Sequence, residues 1–466
     1  MGWSSFIVRG ILVSVLFALL QGCATSSLFT AYPTQATAFK KIISTNQTDA
    51  GIATTLAKLD EEREGADAML YMMERGRITQ LSSRFDESKS DFEFVISSFD
   101  EQDLASTIEL SKAAAQGSSL LVNDNAIPYK GAGYERIFTH HHQAFNYLGE
   151  GDLEGASVEF RRVALEQRVL LEKHEKEVAN AFEKAEEENI DLNALTPAFS
   201  GLDPVVGRVK SSFQNAYTFY ASAAFWESVG ELNSALVDYK KALEINSGSQ
   251  LLKQDIARVT YKLGGQPSNT DFNQANDNQG VVVVFFEDGF VPAKSEIKIP
   301  LPTFDGGLIS LAFPYYDIQH WPVSQHLRAS DEDFNDLGWT ETVVDVGALA
   351  VKSLKEQVPA LMVRQVLRGY AKYELQKQAE SHGGWAGQLI ATAYNIISES
   401  ADRRSWLTLP QTGQVMRFNL NEGERVVTFS TPLAHTNVSL DVQAKRTIFV
   451  RIVNANNSLI TQVYEL

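Results

Sequence analysis

The hydrophobic period of this chain changes along its length, and those changes limit the folds open to it. From Gln35 to about Leu263 apolar residues recur at three- and four-residue spacing among charged ones, with few Gly or Pro, as in packed amphipathic helices. Residues 264–280, rich in Gly, Pro, Ser, Asn, Asp and Gln, read as a linker and a domain boundary. Beyond them the period shortens. Val281 to Phe286 is an unbroken β-branched and aromatic run suited to a buried strand, Glu287-Asp288-Gly289 reads as a turn, Glu296 to Leu301 alternates, and Leu308 to Phe313 is a further strand. Helical spacing returns over about 347–400. One face there carries Leu361, Val363, Val366, Leu367 and Tyr370, a break is expected at Gly383-Gly384, and a second face carries Trp385, Leu389, Ile390, Tyr394 and Ile397. Alternation then resumes through Gln414–Leu420, a turn at Glu422-Gly423, Val426–Phe429, Val438–Val442, Thr447–Val453 and Leu459–Tyr464. A chain of 466 residues has room for two or three domains. The expected fold class is multidomain α + β: a helical domain over 35–263, then a β-sandwich-like or small-barrel domain over 281–466 with a helical insertion.

Within the helical part Gly230 centres the clearest internal unit, from Ala216 to about Ser249. Phe219, Ala223 and Trp226 precede it and Ala235, Tyr239 and Ala242 follow, a spacing that resembles a tetratricopeptide repeat. Small residues let two antiparallel helices approach, and Trp226 and Tyr239 fill the space beside them. Ser247-Gly248 stands where such a repeat usually closes with proline. Tyr147, Gly151-Asp152-Leu153, Ala156 and Phe160 form a second unit, and Gly76, Phe85, Ser88 and Phe92 a weaker third. Between the first two units, Leu165 to Ile190 is long and charged. The resemblance therefore implies an imperfect helical-repeat domain, not a uniform solenoid.

The N-terminus bears on location. Arg9, the apolar run Ile11–Leu20 and then Leu20-Gln21-Gly22-Cys23 resemble a bacterial lipoprotein signal with its lipobox, from which Gln21 departs. Cleavage between Gly22 and Cys23 would remove residues 1–22 and leave Cys23, the single cysteine, for lipidation at the head of a tether over 23–34. Several acyl chains on Cys23 anchor durably where one does not. Ala24 rather than aspartate follows, so the expected location is the outer membrane, facing the periplasm. No later run reaches the roughly 18 to 20 apolar residues of a spanning helix. A formal net charge of −17 disfavours nucleic acid, and a lone cysteine makes no internal disulfide.

Few residues suggest chemistry. His140-His141-His142 looks like a metal tract, but successive helical positions are about 100° apart, so three in a row do not converge on one ion; the expected role is the start of an amphipathic helix, the alternative a site completed by distant residues. Asp331, Asp333 and Asn335 open like a calcium loop, yet Asp336 stands where the sharp turn needs Gly and Thr342 where the closing ligand should be Glu, which leaves a solvated acidic loop. The apolar segment 383–397 is read as packing against the β-rich part, with a membrane interface or a partner helix as the alternatives. Asp402, Arg404 and Trp406 join a helix to a strand: they read first as an Asp-Arg pair with a Trp covering the core, and they are also a candidate partner surface, because Arg and Trp dominate binding hot spots. No nucleophile elbow, phosphate loop, dinucleotide fingerprint or HExxH motif is present. No catalytic residue, cofactor or metal is assigned, and an enzyme is not expected.

Several phrases together resemble a family of uncharacterised lipoproteins of Gram-negative bacteria. They are Tyr129, Gly131 and Tyr134-Glu135-Arg136; Glu287-Asp288-Gly289; Ile299-Pro300-Leu301-Pro302 with Ala312-Phe313-Pro314-Tyr315-Tyr316; Lys372-Tyr373; and Ala401-Asp402 with Arg404-Ser405-Trp406. The resemblance covers nearly the whole mature chain and implies helical repeats beside a β-rich C-terminal part. It implies no activity. The expectation is a lipid-anchored scaffold that contacts a protein partner in the cell envelope, the alternative a lipoprotein that binds or processes glycan through the β-rich part, and a third possibility a part in assembling a secretion or motility machine.

Overall fold

The computed structural model describes residues 32–45, 49–109, 127–188, 190–192, 196–266, 271–302, 308–398 and 400–466. Gly22, Cys23 and the signal segment lie outside them, as do the side chains of the apolar stretch 383–397. The fold is mixed α + β, with helices through the N-terminal half and sheets in the C-terminal region.

The helices come largely in antiparallel pairs. After α1 (Tyr32–Thr45) and α2 (Asp49–Asp60), α3 (Ala68–Leu81) pairs with α4 (Phe85–Glu109), α5 (Gly133–Gly149) with α6 (Leu153–Glu187), and α7 (Ala216–Ser228) with α8 (Leu232–Ile245), against which α9 (Gln250–Lys262) packs. The turns follow from local chemistry. Gly151 and Gly230 sit at φ +75° and +82°, a conformation that costs glycine little, and the Asp152 carboxylate caps α6 by accepting from Gly155 N at 2.9 Å. Tyr32, at the end of the expected tether, is instead the fully buried first residue of α1, and Pro33 fits that first turn.

Eleven strands make three sheets among the described residues. The largest has the order β11 (Ser458–Glu465), β10 (Thr447–Ala455), β1 (Gln279–Asp288), β7 (Thr412–Asn421) and β6 (Glu341–Asp345). Within it β1 and β10 run parallel and the other pairs antiparallel. A four-stranded sheet has the order β5 (Asp336–Trp339), β4 (Arg328–Ser330), β8 (Gly423–Ser430) and β9 (His435–Val442), and β2 (Ser295–Pro302) pairs with β3 (Leu308–Tyr315). The run at Val281–Phe286 is continuous because β1 is covered on both faces. Val282, Val284 and Phe286 join Val427, Phe429 and Leu440 of the four-stranded sheet, while Val283 and Phe285 join the helices.

That second face corrects the expected division into two domains. One apolar cluster extends from Tyr32 on α1 to Tyr464 on β11, so residues 264–280 connect two parts that share a core and do not separate two cores. A second correction concerns the insertion. Gly383-Gly384 does not break it: α10 (Val346–Ser398) is one helix of 53 residues that also contains Pro359. A helical glycine costs only about 1 kcal/mol relative to alanine, which the surrounding helix-forming residues offset.

Candidate functional site

The strongest concentration of chemistry is a buried seam where the helices meet the five-stranded sheet. Glu287 ends the apolar run of β1, and Arg451 interrupts the apolar run of β10 beside it. In a strand buried on both faces neither charge can reach water. Both are completely buried, and Arg77 on α3 is 1 % exposed. Arg451 Nε donates to Glu287 Oε1 at 2.7 Å, and Arg77 pairs with the other carboxylate oxygen. Burial alone would push the Glu287 carboxyl up; the guanidiniums of Arg451 and Arg77 outweigh it and hold the group below its ordinary value. Arg451 also donates to Gln80 Oε1 at 2.7 Å and to His142 Nδ1 at 2.9 Å. A guanidinium only donates, so His142 Nδ1 is the acceptor and its proton resides on Nε2.

The histidine tract is not the start of an amphipathic helix. It lies inside α5, whose surface is covered by its neighbours over most of its circumference, and all three histidines are buried. His140 turns toward α6 and bonds Glu159 at 2.7 Å. His141 and His142 turn the other way, and their ring nitrogens lie within 4.8 Å of each other and of a Glu287 oxygen. Burial, reinforced by Arg451 and Arg77, depresses both imidazoles, His141 to about 3. Neutral imidazoles suit a metal, but the charges do not. One carboxylate bonded to two guanidiniums already leaves a positive cluster in a low dielectric, which repels a cation.

Two further charged groups stitch the same seam. The segment carrying Arg404, Ser405 and Trp406 threads between helical carboxylates: Glu135 Oε1 accepts from Trp406 N at 2.8 Å, Glu74 Oε1 from Leu407 N at 2.8 Å, and Arg404 Nη1 donates to Asp67 Oδ1 at 2.5 Å. Glu135 also closes the first turn of its own helix by accepting from Ala132 N at 2.8 Å. Glu74 accepts from the Tyr32 hydroxyl at 2.7 Å, and its burial pushes its carboxyl up. Farther along, Glu227 on α7 accepts from Arg258 at 2.8 Å and from Arg417 on β7 at 3.1 Å; against the opposing effect of burial, these cations hold its carboxyl well below its ordinary value.

Of the two readings of Asp402, Arg404 and Trp406, the candidate partner surface is therefore corrected in favour of the interior ion pair. Trp406 is fully buried, Arg404 is 2 % exposed and Asp402 is its half-buried ion-pair partner at 2.7 Å, so these residues lock the interior. Asp331 forms a surface turn, accepting from Asn335 N at 2.8 Å and Asp333 N at 3.0 Å. Of the residues singled out for repeat packing, Ala156, Phe160, Phe219, Ala223, Trp226, Ala235, Tyr239 and Ala242 are buried, Tyr147 is half-buried, and Gly151 and Gly230 occupy turns.

The seam residues Arg77, Glu74 and Arg451 escaped the sequence reading. A signal was there: a lone charge inside an apolar β-run, as in Ile448-Phe449-Val450-Arg451-Ile452-Val453, requires a buried partner. Many phrases that carry the lipoprotein resemblance, among them Tyr129, Tyr134-Glu135, Glu287 and Arg404-Ser405-Trp406, meet in this seam. Its geometry binds the chain to itself, since its acids and bases are spent on one another. No protein-family model, curated protein or solved structure matches the chain.

Proposed function

We propose that the chain is an outer-membrane-anchored periplasmic lipoprotein that serves as a protein–protein interaction scaffold in the cell envelope. In this reading Cys23 carries the lipid, the helix pairs are tetratricopeptide-like repeats and the two larger sheets form a sandwich-like part. Attachment in this reading rests on the lipid at Cys23; among the described residues no helix is long and apolar enough to cross a membrane.

The observation that carries the proposal is on α6. This helix of 35 residues exposes Leu153, Val158, Leu165, Leu171 and Phe182 by 40 to 53 %. A long helix that leaves large aliphatic and aromatic side chains in water offers anchors to a partner, and polar residues between them keep it soluble. Its packing against α5 and α10 would hold that helix in one orientation, which reduces the entropy cost of binding.

Crosslinking in intact cells, followed by affinity capture and mass spectrometry, tests this directly. The expected result is one dominant envelope protein, lost with Cys23→Ser and weakened at least tenfold by Leu171→Glu with Phe182→Glu. Capture of no protein, or a partner indifferent to both changes, would refute the scaffold reading.

A further inference from the structure

The parallel pairing of β1 and β10 brings two strand ends together, since Asp288 and Asn454 are registered partners. Just beyond these ends lies an open cleft of about 260 Å³, just below the roughly 300 to 1,000 Å³ usual for drug-sized ligands and enough for a smaller one. We propose that this cleft binds a neutral saccharide, one sugar residue at a time. The inference deepens the glycan alternative raised by the sequence, and it stands apart from the scaffold reading, which rests on α6.

The lining decides the ligand class. Besides Asp288, the ionisable, amide and hydroxyl side chains lining the cleft are all carboxamides, from Gln325, Gln411, Asn454, Asn456 and Asn457; no Lys, Arg or His lines it. Without a cation it has nothing to hold a phosphate or carboxylate ligand. Nor does it suit a metal, because Asp288 is already occupied: Oδ1 accepts from Asn454 Nδ2 at 2.7 Å, and Oδ2 from Gln325 N at 2.7 Å and Ser324 Oγ at 3.0 Å. What remains is a neutral wall of groups that donate and accept at once. Sugar hydroxyls have the same double capacity.

Part of that capacity is unused. Gln325 Oε1 has no hydrogen-bond partner among the described residues and lies sealed beneath the cleft wall, so a small shift of that side chain would bring it to a ligand. The β10–β11 turn presents Asn456 and Asn457 at φ 52° and 68°, where asparagine is the tolerated non-glycine residue. Asn457 Oδ1 accepts from Gln325 Nε2 at 3.2 Å, so its amide nitrogen is left to donate outward. At the rim stand Val323, 91 % exposed, and Leu433, 68 % exposed, two aliphatic side chains able to cover the C–H face of a sugar ring. A peptide fits less well. Peptides in extended form add to a strand edge, where free N–H and C=O groups line up, whereas this cleft lies at strand ends.

The test uses the full chain with Cys23→Ser, titrated by calorimetry and by saturation-transfer NMR with an N-acetylglucosamine tetramer, with maltotetraose and with tetra-alanine. The expected result is saturable binding of at least one oligosaccharide, weakened at least tenfold by Leu433→Glu and by Asn457→Gly. Glycine keeps the positive φ while removing the amide, and Val323→Glu is a second fully exposed change that leaves the fold intact. Phe334→Ala, on the β4–β5 turn at the other end of the four-stranded sheet, should change nothing. Failure of both sugars to bind, binding indifferent to Leu433→Glu and Asn457→Gly, or tetra-alanine taking the cleft would each overturn the assignment. A partner captured through α6 survives any of these failures, so the two proposals fail separately.

Discussion

His141 is a sharp test of how sealed the seam is. Its ring lies among Phe145, Tyr217 and Phe138 at centroid distances of 4.9, 5.2 and 5.8 Å, and neither nitrogen has a hydrogen-bond partner among the described residues. Replacing it by phenylalanine keeps an aromatic ring and removes both orphaned nitrogens. That removal gains about 1 to 3 kcal/mol. The larger ring costs a similar amount in overpacking, so near pH 7 the variant should lie within about 2 kcal/mol of wild type. Acid separates them. In the unfolded chain the imidazole titrates near 6.5, while burial, Arg451 and Arg77 depress it to about 3 in the folded protein. A depressed folded value means the stability is fully present above pH 6.5 and lost as pH falls toward 3, because the unfolded chain takes up the proton first. The slope is about 1.4 kcal/mol per pH unit, and from pH 7 to pH 5 the loss from His141 alone is about 2 kcal/mol. His142 and the buried carboxylates titrate in both proteins and largely cancel in the difference. Equilibrium urea unfolding at pH 7 and pH 5, followed by circular dichroism and tryptophan fluorescence to check all-or-none behaviour, should show His141→Phe gaining about 2 kcal/mol on wild type over that interval. An equal gap at both pH values would refute the reasoning, since the folded protein would then protonate His141 as readily as the unfolded chain.

Two other predictions follow from the same packing. Glu287→Gln leaves Arg77 and Arg451 buried without their counter-charge and should destabilise by about 3 to 5 kcal/mol, read as a lowered thermal midpoint; an unchanged midpoint would mean that the pair is solvated. Trp226→Ala removes a side chain 3 % exposed, along with its bond to Asp238 at 3.1 Å, and should cost about 3 to 5 kcal/mol in urea unfolding. A loss below 1 kcal/mol there would argue against its packing role.

Local pattern was legible in the amino acids; partnership was not. The helical spacing of Phe219, Ala223 and Trp226 against Ala235, Tyr239 and Ala242 anticipates the α7–α8 pair, because residues close in sequence meet on facing surfaces. The eight expected strands likewise match β1, β2, β3 and β7 to β11 within a few residues, since alternation and continuous apolar runs are properties of the strand itself. The short strands β4, β5 and β6 carry too few residues to show a period. Cys23 with its flanking residues determines the expected compartment, and nothing in the packing bears on it.

Tertiary structure decided the rest, for a physical reason that is the same in each case. Trp406 and Arg404 look like a binding surface as a pair of residue types, and only the arrival of Asp67, Glu74 and Glu135 from helices more than 250 residues away turns them inward. The parallel pairing of β1 with β10, separated by about 160 residues, depends on nothing local. It nevertheless places Glu287 against Arg451 and brings Asp288 beside Asn454 at the mouth of the cleft. Periodicity reports which face of an element is buried. Which element buries it is a matter of long-range packing, and both the seam and the cleft are made there.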